Sequence, residues 1–161
     1  MCGVLSGGVA TWNTALDGAF AFQHQVPVLT MHTTGDGLIV PENEQAYRSV
    51  VDRAGHGDLL RQVFVNRAGH CAFTPAETIT AVQTLENRMS TGQWDVPSPA
   101  AMNAEAAALG PQYNIFAGGS SVVPTAPAFI SYTPARYLRP FDLFDRTGSQ
   151  PLFPVPVGHA R

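Results

Sequence analysis

The chain has 161 residues, of which 45% are hydrophobic, and this length and composition suit one domain of ordinary size with a real core. The net charge is −3 and no lysine is present, so the chain lacks the basic patch with which nucleic-acid-binding proteins neutralise phosphates. It contains no apolar run of about eighteen residues, which predicts that no helix spans a membrane.

The first 25 residues are rich in glycine, alanine and threonine, and their segment TALDGAFAF, Thr14–Phe22, suits either a short helix or a loop. The chain begins with MCGVLSGGVATWN, which has no basic segment before its apolar residues and therefore does not resemble a secretory signal. This beginning resembles the middle of a protein, so we expect the chain to be a fragment. Its localisation is left open, although the low charge content is compatible with secretion.

The run QVPVLTMHT, Gln25–Thr33, predicts the first strand. It is short, apolar and non-alternating, which is typical of a buried strand in a parallel sheet. Pro41 then begins a predicted helix that carries Glu42 and Glu44 in its first turn, where the helix dipole favours negative charge. We expect this helix to end at Gly55. Its predicted apolar face consists of Ala46, Val50 and Ala54.

The run LLRQVFVN, Leu59–Asn66, predicts a second strand. Thr74 then caps a predicted helix that Pro75 begins, and Glu77 completes a capping box three residues after the cap. We expect this helix to extend to Gly92. Its predicted apolar stripe consists of Ile79, Val82, Leu85 and Met89.

The segment Gln25–Gly92 thus alternates strand, helix, strand and helix, which is the repeating unit of a parallel α/β sheet. We therefore predict a partial α/β domain over residues 1–96. Residues 97–161 hold ten of the thirteen prolines and many aromatic residues, which predicts an irregular arm that packs on the body rather than a flexible linker. A short helix, Ala100–Leu109, is expected at the start of this arm and ends at Gly110.

Two polar residues follow the two predicted strands, Asp36 after the first and His70 after the second. Loops at the carboxyl ends of neighbouring parallel strands lie together, and sites are built there. An aspartate in this position can accept a hydrogen bond from one imidazole nitrogen, which fixes the tautomer and leaves the other nitrogen to act as a base. If the two strands are neighbours in the sheet, this spacing allows Asp36 to orient His70 as a base; taken singly, either residue suits an ordinary loop position.

The segments PVLTMHTTGDGLIVP and VFVNRAGHCAFTPAE resemble the C-terminal part of an α/β-hydrolase, over about Val26–Met89. In that fold the chain order is nucleophile, acid and histidine. The acid follows a late strand in a G-x-D-type loop before a proline-started helix, and the histidine follows the last strand in a G-H turn before the final helix. The resemblance implies that Asp36 is the triad acid and His70 the triad base.

The nucleophile motif of that family, G-x-S-x-G, is absent from the chain. Ser6 in VLSGG has Val4 where the first glycine of the sharp turn should stand, and it precedes Asp36 by too few residues to hold the helix and strand that normally intervene. Ser120 and Ser121 follow His70 and so have the wrong order. We expect the catalytic serine to belong to polypeptide that is not in this chain.

The other chemically active side chains have ordinary interpretations. His32 is predicted to be a packed core residue or a support for the site, and Cys71 points away from His70 on an extended segment, so it is not expected to be a nucleophile. TTGDG lacks the glycines and the lysine of a phosphate-binding loop. The histidines expected at the surface are His24, His56 and His159. The aromatic residues expected to pack are Trp12, Trp94 and Tyr132.

The cysteines and histidines are too scattered to form a zinc site. We expect no metal and no cofactor. The sequence leaves open whether Cys2 and Cys71 form a disulfide or remain two thiols.

The leading hypothesis is the C-terminal fragment of a serine hydrolase that cleaves small-molecule esters or amides, with esters favoured by analogy only. Its expected partners are the substrate and the missing N-terminal hydrolase half, and the isolated chain is expected to be inactive. The alternative is a non-catalytic hydrolase-like module or a subunit that associates with another chain through an exposed sheet edge and an apolar arm.

Overall fold

A computed structural model describes residues 26–95, 98–118 and 121–136, together with the backbone of three short strands near the N-terminus. Cys2, His24, Ser120 and His159 lie outside the described residues, as does the side chain of Trp12. The described strands are β1 Val4–Ser6, β2 Trp12–Thr14, β3 Phe20–Phe22, β4 Val28–Gly35, β5 Leu60–Ala68, β6 Ile115–Gly118, β7 Ser121–Pro124 and β8 Phe129–Ile130. The described helices are α1 Glu42–Arg53, α2 Pro75–Thr91 and α3 Pro99–Ala108.

The main sheet has the strand order β1-β4-β5-β8 and is mixed. Its two central strands, β4 and β5, pair in parallel from Val28↔Leu60 onwards, as predicted. The flanking strands β1 and β8 are both antiparallel to their neighbours. The chain therefore has an α/β fold in which the predicted parallel pair forms the centre of a mixed sheet. Two separate antiparallel pairs, β2 with β3 and β6 with β7, lie outside this sheet.

The helices cover both faces of the sheet. Successive side chains of a strand point to opposite sides, so β4 and β5 contribute to two separate cores. On one face, Val28 and Leu60 form a small core with Tyr47 and Val51 of α1. On the other face, a larger core joins β4 and β5 to α2, α3 and β8. Its buried members are Leu29, Met31, Val63, Val65, Ala76, Ala81, Leu85, Met102, Ala106 and Phe129.

The three helices begin and end where local sequence chemistry predicts. Pro41 and Gly55 flank α1. The capping box at Thr74 and Glu77 is present at the start of α2, and Gly92 ends that helix in the left-handed conformation, with φ +74°. Gly110, with φ +97°, follows α3. No helix within the described residues is long and apolar enough to cross a membrane.

The predicted apolar face of α1 is wrong. The helix buries Glu44, Tyr47 and Val51, whereas Ala46 and Val50 are only half-buried and Ala54 is exposed. The sequence indicated Glu44 only as a negative charge in the first turn, and a buried carboxylate is costly unless it is hydrogen-bonded. The fold instead gives this carboxylate polar partners on the sheet, so the helix lies on the sheet through the face that carries it.

The predicted apolar stripe of α2 is wrong for three of its four residues. Leu85 is buried, but Ile79 and Val82 are half-buried and Met89 is 51% exposed. The buried surface of this helix consists mainly of small residues, which allow close approach of the sheet and α3: Ala76, Thr80, Ala81 and Thr84.

The segment Thr14–Phe22, predicted as a helix or a loop, contains a strand instead. Phe20–Phe22 pairs antiparallel with Trp12–Thr14. Phe20 and Phe22 are aromatic residues of a type enriched in strands, and this signal was missed.

The described part of the C-terminal arm packs on the body. Asn103 of α3 binds both backbone groups of Phe129, donating to its carbonyl oxygen at 2.9 Å and accepting from its N–H at 2.7 Å. Tyr132 packs edge-on against Phe64, with ring centroids 5.2 Å apart. Trp94 packs against the larger core and donates from Nε1 to the Asp58 carbonyl oxygen. Tyr132 in the arm and Trp94 just before it therefore contribute to packing, as predicted for these two residues.

Candidate active site

Asp36 is the first residue after β4, and its carboxylate is held by its own loop. Oδ1 accepts hydrogen bonds from the backbone N–H groups of Leu38 and Ile39, at 2.9 and 3.0 Å. This is the turn geometry that aspartate forms readily with residues two and three further along the chain. The residue is only 4% exposed, so the carboxylate is a buried and oriented acceptor.

A glycine lets the ends of the two central strands approach closely. The pairing register shifts between Thr33 and Gly35. A side chain at Gly35 would place its Cβ 3.0 Å from the Cα of Ala68, which is tighter than most Cβ contacts in proteins. Gly69 N–H also donates to the Gly35 carbonyl oxygen at 3.0 Å. The absence of a side chain at Gly35 therefore brings the loops after β4 and β5 together.

The loop after β5 presents His70 in a tight turn. Gly69 before it has φ +103° and Cys71 after it has φ +51°, so both neighbours adopt the left-handed region. The hydroxyl of Thr33, which is fully buried, donates to the Gly69 carbonyl oxygen at 2.7 Å and ties this turn to β4. Cys71 is exposed, and Cys2, with which a disulfide was left open, lies outside the described residues.

Asp36 and His70 meet at the carboxyl ends of the two parallel strands. Nδ1 of His70 lies 2.8 Å from Oδ2 of Asp36. The Asp36 side chain is fully buried, whereas the His70 side chain is 38% exposed. An oriented acid behind a solvent-accessible imidazole is an arrangement that can stabilise an imidazolium and direct Nε2 toward a reacting group.

The serine candidates do not share this position. Ser6 pairs with Val28 at the beginning of β4, whereas Asp36 follows the end of that strand. Val28 and Gly35 are seven residue steps apart along the strand, which corresponds to roughly 20–25 Å. Ser121 begins the exposed strand β7.

His32, predicted to be a packed core residue or a support for the site, is fully buried. Its Nδ1 lies 2.8 Å from the carbonyl oxygen of Thr33. It lies on the same strand as the site but not within it. His56, predicted at the surface, is half-buried. No group of three or more histidine, cysteine, aspartate or glutamate side chains within the described residues could hold a metal ion.

Sequence reasoning missed two buried polar groups. Glu44 accepts hydrogen bonds from the Thr30 hydroxyl at 2.5 Å and from the Gln62 amide at 2.6 Å. Glu77 forms an ion pair with Arg67 at 2.6 Å. The only available signal was the capping box, which indicates Glu77 but not Arg67.

Two cavities lie away from the Asp36–His70 pair. One, of about 440 Å³, is polar and lies between α2 and α3; its lining consists of Gln83, Thr84, Asn87, Asp95 and Glu105. The other, of about 310 Å³, lies along the edge of β5 beside β8 and is lined in part by Arg61, Val63, Met102 and Tyr132. Neither cavity includes Asp36 or His70.

Comparison with known proteins finds a partial relative. The chain is 38% identical over 84 residues to an o-phthalyl amidase of Xanthobacter agilis. The matched region is 52% of this chain but only 18% of that protein, so the chain spans about a fifth of the relative's length. No protein-family model matches the chain, and no solved structure matches it.

Proposed function

We propose that this chain is the part of an α/β-hydrolase that supplies the acid and the histidine of a Ser-His-Asp triad. The observation that carries the proposal is the 2.8 Å contact between His70 Nδ1 and Asp36 Oδ2, formed by loops that follow adjacent parallel strands. The order of acid before histidine, each between a strand and a helix, supports the same assignment. Asp36 is then the orienting acid and His70 the general base.

In the proposed reaction a serine from outside this chain attacks the substrate carbonyl carbon while His70 Nε2 accepts the serine proton. The tetrahedral intermediate then collapses, the bond to the leaving group breaks, and the imidazolium returns the proton to the departing amine or alcohol. Water cleaves the acyl-serine in the same way. Asp36 keeps Nδ1 protonated and stabilises the imidazolium through both steps.

We propose a small-molecule amide as the substrate. The partial likeness to an o-phthalyl amidase supports amide hydrolysis over the ester preference that fold analogy alone suggested. Esters remain substrates of the same chemistry, because an ester carbonyl is attacked more readily than an amide carbonyl and its cleavage uses the same triad.

The first experiment uses the purified 161-residue chain with an activated ester and with an o-phthalyl amide. We expect no turnover above the buffer rate, because the triad lacks its nucleophile. If the chain hydrolysed either substrate and lost this activity in a His70→Ala variant, the nucleophile would lie within the chain. That result would contradict the proposal of a serine outside it.

The second experiment reads the DNA upstream of Met1 and expresses any in-frame segment that encodes a strand, G-x-S-x-G and a helix together with this chain. In that longer protein we expect Asp36→Asn to lower kcat by roughly 10³–10⁴-fold, since the imidazole loses its orienting acid. His56→Ala is the matched control and should leave kcat unchanged. An active protein that tolerates Asp36→Asn would refute the assignment.

A non-catalytic module is the second candidate, and one observation favours it. The hairpin of β6 and β7 exposes large apolar side chains, with Val122 63% and Val123 53% exposed. Such side chains suit association with another chain. The upstream DNA discriminates the two candidates, because a module needs no in-frame nucleophile motif.

A further inference from the structure

We propose that the buried ion pair of Arg67 and Glu77 positions His70 by clamping the loop that carries it. This role rests on the proposed function, because it concerns the orientation of the proposed base. Arg67 lies near the end of β5, three residues before His70, and Glu77 lies in the first turn of α2, seven residues after it. The two residues therefore stand on either side of the loop.

Glu77 is fully buried, and four hydrogen bonds satisfy its carboxylate. Oε2 accepts from Arg67 Nη1 at 2.6 Å and from the backbone N–H of Thr74 at 2.8 Å. Oε1 accepts from Arg67 Nη2 at 2.9 Å and from the backbone N–H of Ala128 at 2.9 Å. Of these four bonds, a capping box uses only the one from the Thr74 N–H. The other three join Glu77 to Arg67 and to Ala128.

Arg67 uses the rest of its guanidinium on backbone carbonyl groups. Nη1 donates to the Ala72 oxygen at 2.7 Å, and Nη2 donates to the Ala126 oxygen at 3.1 Å. The bond to Ala72 closes a ring of residues 67–72 with His70 inside it. Because the planar guanidinium binds the carboxylate bidentately, its rotation is blocked and the ring closes in one geometry.

The clamp joins four segments: the end of β5, the His70 loop, the start of α2 and the segment before β8. Asp36 is held from the other side by its own loop. The His70 loop is tied to β4 through Gly69 and to α2 through the clamp, so the 2.8 Å contact between Asp36 and His70 depends on both attachments. Loss of the clamp is expected to free the His70 side of this contact while the Asp36 side stays in place.

The test follows the His70 Nδ1 proton by NMR, since a proton shared with a carboxylate gives a far-downfield signal that exchanges slowly. The signal is assigned by its loss in Asp36→Asn. The main variant is the double substitution Arg67→Met with Glu77→Gln, because the ion pair is removed while glutamine keeps a side-chain oxygen for the capping box. We expect this variant to fold and its signal to vanish or to exchange at least about tenfold faster, as for a loop that opens more readily.

Two further variants keep the test decisive. Arg67→Lys retains the charge but cannot bind the carboxylate bidentately, so it is expected to give an intermediate exchange rate if the double variant does not fold. Glu44→Gln removes another buried carboxylate, on the opposite face of the sheet, and should leave the signal unchanged. If the His70 signal exchanged as fast in Glu44→Gln as in the clamp variants, the effect would be a general loss of stability. That result would overturn the positioning role.

The two proposals fail in different ways. A wild-type signal that persists with the same exchange rate in the folded double variant and in Arg67→Lys overturns the clamp alone. A wild-type chain with no Asp36-dependent signal overturns both the clamp and the proposed catalytic pair.

Discussion

Tyr47 shows how burial and a neighbouring carboxylate change the pKa of a single residue. Its phenol is 4% exposed in the small core beneath α1, three residues from the carboxylate of Glu44. Burial, and then the negative charge of Glu44, raise the pKa of Tyr47 to about 12. Both causes act in the same direction, because each disfavours a phenolate in this position.

This shift predicts a loss of stability at high pH. The unfolded chain releases the Tyr47 proton near pH 10 while the folded chain retains it to about pH 12, so stability is complete below pH 10 and falls as the pH rises between these values. The full shift corresponds to roughly 2–3 kcal/mol. Urea unfolding at pH 9 and 11 should show that the wild type loses about 1 kcal/mol more than Tyr47→Phe. Equal losses in the two proteins would contradict the raised pKa.

At the scale of elements, the two strand–loop–helix units differ in how their helices begin. The helix α1 begins at Pro41 without a side-chain cap, whereas α2 begins with a reciprocal capping box. The stronger start belongs to the unit that carries His70. Thr74 of that box is fully buried and accepts from the Glu77 N–H at 3.1 Å, so the same residues define the helix start and end the histidine loop.

Thr74→Ala is therefore expected to cost roughly 1–2 kcal/mol, the upper part of the range for a lost cap, because the Glu77 N–H is left buried without its acceptor. Ser98→Ala removes the cap of α3, which accepts from the Ala101 N–H in a solvent-exposed position, and should cost roughly 0.5–1 kcal/mol. Urea unfolding measures both. Backbone NMR shifts of residues 69–74 should change only in Thr74→Ala. Equal costs, with no change in those shifts, would contradict the link between cap and loop.

At the scale of the whole molecule, the two predicted parts share one core. Met102 and Ala106 of α3 and Phe129 of β8 belong to the same buried cluster as the central strands. We propose that residues 1–96 and 97–161 differ in amino-acid composition but do not fold as independent units. The arm then supplies the cover that the larger face of the sheet needs.

A chain truncated after residue 95 is expected to lose cooperative unfolding and to bind a hydrophobic dye, because Met31, Val65 and Leu85 lose their cover. Asn103→Ala is the milder variant. It leaves both backbone groups of Phe129 without their side-chain partner and should cost roughly 2–4 kcal/mol in urea unfolding. A truncated chain that unfolds as sharply as the whole chain would show that residues 1–95 fold alone.

Local chemistry made most of the element boundaries predictable. Proline and glycine mark the ends of α1, α2 and α3, and the run of apolar residues marks β4 and β5. The buried faces of the helices were not predictable in this way. Glu44 faces the core because Thr30 and Gln62 offer partners from the sheet, and α2 buries small residues because α3 packs closely against it.

The sequence by itself determined the order of the two central strands and the three helices, the capping box and the two polar residues that follow these strands, because these features depend on residues close together in the chain. The tertiary structure alone decided that Asp36 and His70 are 2.8 Å apart and that Ser6 lies at the other end of β4. It also decided that Arg67 joins Glu77 across the histidine loop. These contacts depend on strand register and on the close approach at Gly35, which are properties of pairing between distant segments.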